Sequence, residues 1–296
     1  MTDPTHSAEQ LLAVVQRSPA AVAAKDREAW LSIFAAYNIV EDPVGSRPHV
    51  SGVFDPVTGR RGNGPLVRFF DTFIAPNEIT FEVERDIVSG YHVVRDLTIE
   101  IRMGPKVVVR VPMHLLYVLG EHGGAARVFR LAAHWELLPM VAQAMGFGMA
   151  SLTAMMGLGW RMLRIQGLGG IVGFMRALRN IGAPGRDATA AFARAFNDRD
   201  GAGLAALFAA DAPGVSWPAP GKRLGPWHFI ERTSGRLEFG KTLVSGYVVS
   251  VSASWQDAGL LRHGLVLFEF TRAGAIDRVS AYWAAPQAAS SSSSSG

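Results

Sequence analysis

The chain has no cysteine among its 296 residues. That excludes disulfide staples, thiolate nucleophiles and cysteine-based metal sites, and it suits a reducing compartment. Charge is also sparse: 18% of residues are charged against 49% hydrophobic, and 29 basic side chains face 25 acidic ones for a net +4. No basic helix or basic-aromatic interleaving of the kind that reads nucleic acid is present, so a nucleic-acid partner is not expected. No cluster with metal-ligand spacing and no serine-histidine-acid set stands out. Gly167-Leu168-Gly169-Gly170 lacks the preceding strand that a dinucleotide-binding loop requires. Neither a metal nor a cofactor is expected. The polar stretch Met1–Glu9 does not read as a signal peptide, and the run Ser290–Ser295 with Gly296 reads as a low-complexity tail. The expectation is a cytoplasmic protein.

The length suffices for two domains with separate cores. Ser7 and Gln10 form a capping-box pair that opens a helix to about Gln16, and Ser18-Pro19 reads as a restart of helix. A third helix is expected over 26–36, burying Trp30, Ile33 and Phe34. A turn-rich insertion follows at 51–65, then a helix over 65–74 with Leu66, Phe69, Phe70 and Phe73 at helical spacing. Strands are expected at 79–87, 91–103, 107–119 and 127–138. Helices followed by an antiparallel meander give an α+β domain.

That domain is written twice. Asp26-Arg27-Glu28-Ala29-Trp30-Leu31 is echoed by Asp200-Gly201-Ala202-Gly203-Leu204-Ala205. The strand ending His134-Trp135 is echoed by Tyr282-Trp283, and Val40–Gly45 by Val215–Gly221. The expected boundaries are 1–138 for the first copy, 139–183 for an apolar Gly/Met-rich helical linker, 184–286 for a second copy and 287–296 for the tail.

The linker is the greasiest part of the chain. Leu137 to Trp160 carries no charge, and Arg161, Arg164, Arg176, Arg179 and Arg186 follow. By length it reaches the roughly 20 residues of a membrane span. Such a span would set the two copies on opposite sides of the membrane. A helical hairpin lying in the membrane interface, with arginines at headgroup level, and a hairpin buried between domains are the other readings. Peripheral membrane contact through 137–178 is therefore expected as one option.

The candidate site is Val40-Glu41-Asp42-Pro43-Val44-Gly45-Ser46. Here a carboxylate on an apolar run is stopped by proline and turned by glycine. Asp42 in greasy surroundings should have a raised pKa and could shuttle a proton; capping the turn before Pro43 is the structural alternative. This stretch, with the order of elements around it, resembles the catalytic-base segment of ketosteroid isomerases and the related polyketide cyclases. These belong to the nuclear transport factor 2-like superfamily. The resemblance implies two tandem cone-shaped domains, helices wrapped by a curved antiparallel sheet, that pack as an intramolecular pseudo-dimer; a higher oligomer is also open. It implies Asp42 as the base. The family's tyrosine falls near Ser18, a supporting tyrosine near Phe70, and the acidic partner at His114 or Leu115 on the third strand.

His114, in the apolar run 111–119, could donate to a substrate oxygen, pair with Asp42 as acid and base, or serve as a core histidine. Tyr117, three residues on, should face away from His114 on a regular strand. Tyr37 is a possible substitute phenol, and Phe34, Phe70 and Trp135 complete the expected pocket wall. The second copy has Trp217 at the place of Asp42, and Val266 or Leu267 at the third-strand place; it lacks the base. The function the resemblance implies is Asp-mediated proton transfer on a lipophilic, steroid- or polyketide-like substrate, as in a steroid delta-isomerase. A non-catalytic lipid or steroid carrier at a membrane surface and an epoxide hydrolase or cyclase are the alternatives.

Overall fold

The structure, a computed structural model, describes residues 6–52, 54–55, 60–61 and 64–288. It divides into two compact units, Met1–Asn180 and Ile181–Gly296.

In the first unit the capping box forms as expected. Ser7 Oγ accepts from the Gln10 amide at 3.2 Å and Gln10 Oε1 accepts from the Ser7 amide at 2.8 Å. The helix it opens does not stop at Gln16: α1 runs unbroken over Ala8–Ala23 with Pro19 inside. Proline removes one backbone bond there, but Leu11, Val15, Ser18 and Val22 form one buried face, and its packing outweighs the loss. α2 is short, Arg27–Ser32, capped by Asp26 Oδ1 on the Ala29 amide at 2.9 Å. The expected helix to residue 36 yields to strand β1, Phe34–Glu41, because Phe34 pairs with Val128 in a parallel ladder. Tertiary pairing overrides local helical spacing here.

Three short strands follow, β2 (His49–Ser51), β3 (Phe54–Asp55) and β4 (Arg60–Arg61). The expected insertion at 51–65 lies partly outside the described residues. α3, Gly64–Phe69, passes into a π-helical turn at Phe70–Ile74. The meander is β5 (Glu78–Ser89), β6 (His92–Met103), β7 (Val107–His122) and β8 (Ala125–His134). The last strand ends four residues earlier than expected, because Leu137 already opens a helix. The sheet order is β2-β1-β8-β7-β6-β5, with β1 parallel to β8 and the meander antiparallel.

α4 (Leu137–Met145) and α5 (Met149–Met175) complete this unit, and α5 is kinked where Gly167 takes φ 70°. Leu137, Met140, Ala144 and Ala177 join the first core. Beyond the end of β8, the edge of β7 is open. There the Gln143 side chain accepts from the Arg110 amide and donates to the Arg110 carbonyl at 3.2 Å, satisfying backbone groups that no strand reaches. Gly173 allows a close approach: its carbonyl accepts from the Arg47 amide at 2.9 Å, and a Cβ would lie 2.8 Å from that of Arg47. Among the described residues no helix is long and apolar enough to cross a membrane, which removes the spanning reading of 137–160.

The second unit repeats the leading helices and the six-stranded sheet of the first. α6 (Gly182–Asn197) and α7 (Gly201–Ala206) sit at a constant offset of 174 from α1 and α2. β9 (Gly214–Ser216), β10 (Arg223–Leu224) and α8 (Pro226–Arg232) follow. The meander is β11 (Arg236–Ser245), β12 (Val248–Asp257), β13 (Leu260–Phe270) and β14 (Ile276–Trp283). Its sheet order, β10-β9-β14-β13-β12-β11, is that of the first, and again a parallel pair joins first strand to last; β15 (Gln287–Ala288) adds to β13. The equivalent corners also agree. Asp42–Pro43 and Trp217–Pro218 are both cis, and Val44 and Ala219 donate to the Ala133 and Ala281 carbonyls at 2.8 and 2.7 Å. The chain therefore carries in two tandem copies the α+β architecture expected from its sequence, helices followed by an antiparallel meander.

Candidate active site

Asp42 lies just past the end of β1, where the cis peptide to Pro43 turns the chain and the Val44–Ala133 bond ties the turn to β8. Its side chain stands at the wall of a cavity of ≈ 140 Å³ in the first unit. The walls come from three layers. The inward side chains of β7 contribute Val111, Met113, Leu115 and Tyr117; the helices contribute Val22, Trp30 and Phe73; α4 and α5 add Met140, Leu158 and Phe174. Asp42 keeps a little accessible surface, and that surface borders the cavity. Burial raises its pKa from 3.8 to about 6, against the opposing effect of one hydrogen bond, the Trp135 Nε1–H donated to Oδ1 at 2.6 Å.

A second polar group faces the same space. Tyr117 is 2% exposed and hydrogen-bonded to Ser18 of α1, whose Oγ accepts from Trp30 Nε1 at 3.2 Å. Burial raises the phenol pKa; Arg95 and the Ser18 bond oppose it, and Asp86 and Asp42 add to it. Arg95 is itself buried and forked onto Asp86, Nε to Oδ1 at 2.7 Å and Nη2 to Oδ2 at 3.2 Å. The cavity thus offers an ionisable carboxylate with a raised pKa, a buried phenol, and mostly apolar walls.

Of the residues singled out from the sequence, Asp42 and Trp135 meet in this cavity. Phe34 and Phe70 stand behind its wall, packed on Trp30 with ring centroids 4.9 and 5.7 Å away. Tyr37 does not reach it. It is 51% exposed, in the stretch of β1 where the register with β8 shifts. His114 is not brought to Asp42 either. It pairs in register with Asp96 and His134, its Nε2 lies 3.3 Å from Asp96 Oδ1, and it occupies the sheet face opposite Leu115 and Tyr117. Strand alternation is the reason: between His114 and Leu115, the cavity side goes to Leu115. His134, on that same outer face, is buried with both ring nitrogens unpartnered, and burial lowers its pKa to about 3, helped by His114 and Arg130.

Sequence reasoning missed Tyr117 as a cavity residue, along with the Arg95–Asp86 pair. The signal for Tyr117 was present: Val111, Met113, Leu115 and Tyr117 alternate with period two, so a phenol shares the face of Leu115. For Arg95 there was none, since nothing local marks a buried arginine.

No protein-family profile and no curated protein sequence matches the chain. Solved structures do. The crystal structure of RV0760c from Mycobacterium tuberculosis is 27% identical over 44% of this chain and 97% of its own, with a TM-score of 0.35. That protein has also been solved in complex with estradiol-17beta-hemisuccinate. The Delta 5-3-ketosteroid isomerase from Mycobacterium sp. is 29% identical over 43% of this chain and 92% of its own, with a TM-score of 0.34. A Mycobacterium tuberculosis LEH-like epoxide hydrolase is 13% identical over 50% and 96%, with a TM-score of 0.36.

Proposed function

We propose that the first unit moves a proton on a lipophilic carbonyl substrate, in the manner of a steroid delta-isomerase, with Asp42 as the base. The observation that carries this reading is a carboxylate of pKa about 6 at the wall of an apolar cavity. Such a group is mostly ionised at neutral pH, yet acidic enough once protonated to give the proton back. On a β,γ-unsaturated ketone, Asp42 takes a proton from the carbon between carbonyl and alkene and returns it to the far alkene carbon. Negative charge develops on the carbonyl oxygen, and a donor must meet it there. Tyr117 is suited to that role. With Trp30 donating to Ser18 and the Ser18 hydroxyl donating to Tyr117, the phenol keeps its own O–H for a ligand. The helix position where the resemblance implies a tyrosine holds Ser18, and the phenol comes instead from β7.

In this reading residues 1–138 carry the site, α4 and α5 of the 139–183 segment supply its cover, and 184–286 form a degenerate copy. The same carboxylate could open an epoxide or close a ring. A carrier reading has one observation in its favour: Asp42 Oδ1 is already taken by Trp135, as in a carboxylate that only anchors a tryptophan. Asp42→Asn keeps the shape and removes the titrating group. Turnover of a Δ5-3-ketosteroid should fall by about 10²–10⁴-fold, while progesterone binding, followed by tryptophan quenching, survives. Progesterone binding by a wild type that isomerises nothing would leave the carrier reading standing.

A further inference from the structure

The cover of the cavity has an outer face that the proton-transfer reading does not use. Among the described residues sixteen large hydrophobic side chains are exposed, and eleven of them lie between Leu138 and Met175. Along α5 they are ordered. Met149, Leu152, Met156, Trp160 and Leu163 recur at steps of three and four, which puts them on one side of the helix. Past the Gly167 kink, Leu168, Val172 and Met175 do the same. Met149 is 77% exposed, Leu168 72% and Trp160 64%, values that leave most of each residue in solvent. A patch of this extent marks an interaction surface.

Charge indicates what covers it. From Leu137 to Asn180 there is no Asp or Glu, and the only charges are Arg161, Arg164, Arg176 and Arg179. Two copies of such a face would bring arginines together with no counter-charge, which argues against self-association. A tryptophan and long apolar side chains beside arginines are instead the composition of a helix lying in a membrane interface. Beside α5 runs a groove of ≈ 590 Å³ with Lys106, Arg161, Asn77 and Thr153 on its walls and no carboxylate. The Arg161 Nε in it is buried without an acceptor. Lys106 and Arg161 give the groove the positive charge that suits a lipid phosphate. The groove shares Asn77 and Met103 with the cavity, and the inner side of the same helices lines the cavity through Met140, Leu158 and Phe174.

We propose that the outer face of α5 docks in the interface of an anionic lipid bilayer, with the Lys106–Arg161 groove taking a lipid headgroup. The docked surface and the ligand cavity then share one wall. This stands apart from the proton-transfer reading, and Asp42→Asn should bind vesicles as the wild type does.

The test is flotation of the full chain with phosphatidylcholine vesicles, with and without phosphatidylglycerol, at low and high salt. Binding is expected to the anionic vesicles, with loss at high salt. Trp160→Asp with Leu168→Asp should lower the bound fraction by more than about tenfold, as two charges enter the apolar face. Arg161→Gln, Arg164→Gln and Arg176→Gln should each lower affinity about fivefold; as exposed or half-exposed positions they leave the fold in place. Equal binding to both vesicle types, or none to either, overturns the proposal. So does a dimer in sedimentation velocity that Trp160→Asp dissolves, which would assign the face to a second copy of the chain.

Discussion

Asp42 and Trp217 occupy the same corner of the same fold, each followed by a cis proline, and around them the two units differ at matched positions. In the first unit Trp135 donates its indole N–H to Asp42. In the second, the equivalent Trp283 packs on Trp217 with centroids 4.8 Å apart, and Trp255 and Phe229 close in at 5.5 and 5.2 Å. The offset of 174 that relates α1 to α6 sets Ser18 against Phe192, and the strand registers set Tyr117 against Phe268. Ser18 and Tyr117 share a hydrogen bond, whereas Phe192 and Phe268 form an edge-to-face pair at 5.1 Å. Three polar positions of one copy are thus three aromatic positions of the other. One backbone supports a tuned carboxylate beside a phenol, or an aromatic core, and a handful of side chains decides which.

The largest expected effect comes from breaking the aromatic corner. Trp217→Ala should cost the second unit about 3–5 kcal/mol, the range for emptying a large aromatic position, read as a lowered denaturation midpoint. A cost below about 1 kcal/mol would mean that Trp217 is not part of a packed core. Next is the phenol. Tyr117→Phe copies into the first unit what Phe268 is in the second, and should lower isomerase turnover about 10²–10³-fold without loss of folding, as for one missing oxyanion donor. An unchanged rate would return Tyr117 to a packing role.

The smallest effect concerns the carboxylate itself. Because the folded protein holds the Asp42 proton up to about pH 6 and the free group only to 3.8, stability is full below the lower value and declines as pH rises through the upper one. Asp42→Asn lacks this loss. It should match the wild type near pH 3.5 and be more stable at pH 7 by at most about 3 kcal/mol, with denaturant midpoints at the two pH values as the measure. The wild-type rate should rise with pH through the same value as the base ionises. A mutant equally displaced at both pH values would show that Asp42 does not titrate with a raised pKa.

Much of this comparison was legible in the sequence because its causes are local. Caps, proline stops and tryptophan-ending strands are set by neighbours a few residues away, so the two copies, their α+β class and the Asp42 corner could be read directly. Composition alone marked 137–178 as apolar and arginine-edged. What the sequence could not fix depended on pairing across the chain. Phe34 to Ala36 have helical spacing but become strand, since β8 offers them a ladder. Whether His114 or its neighbours met Asp42 hung on one step of register. A single residue reverses the face of a strand, and that step is set only when β7 lies between β6 and β8 with its odd-numbered side chains over the helices. The partnership of Ser18 with Tyr117, and the apolar face that α5 turns outward, were likewise decided by tertiary structure. Each depends on which side of an element the rest of the fold covers, and hydrophobic burial is decided only where elements meet.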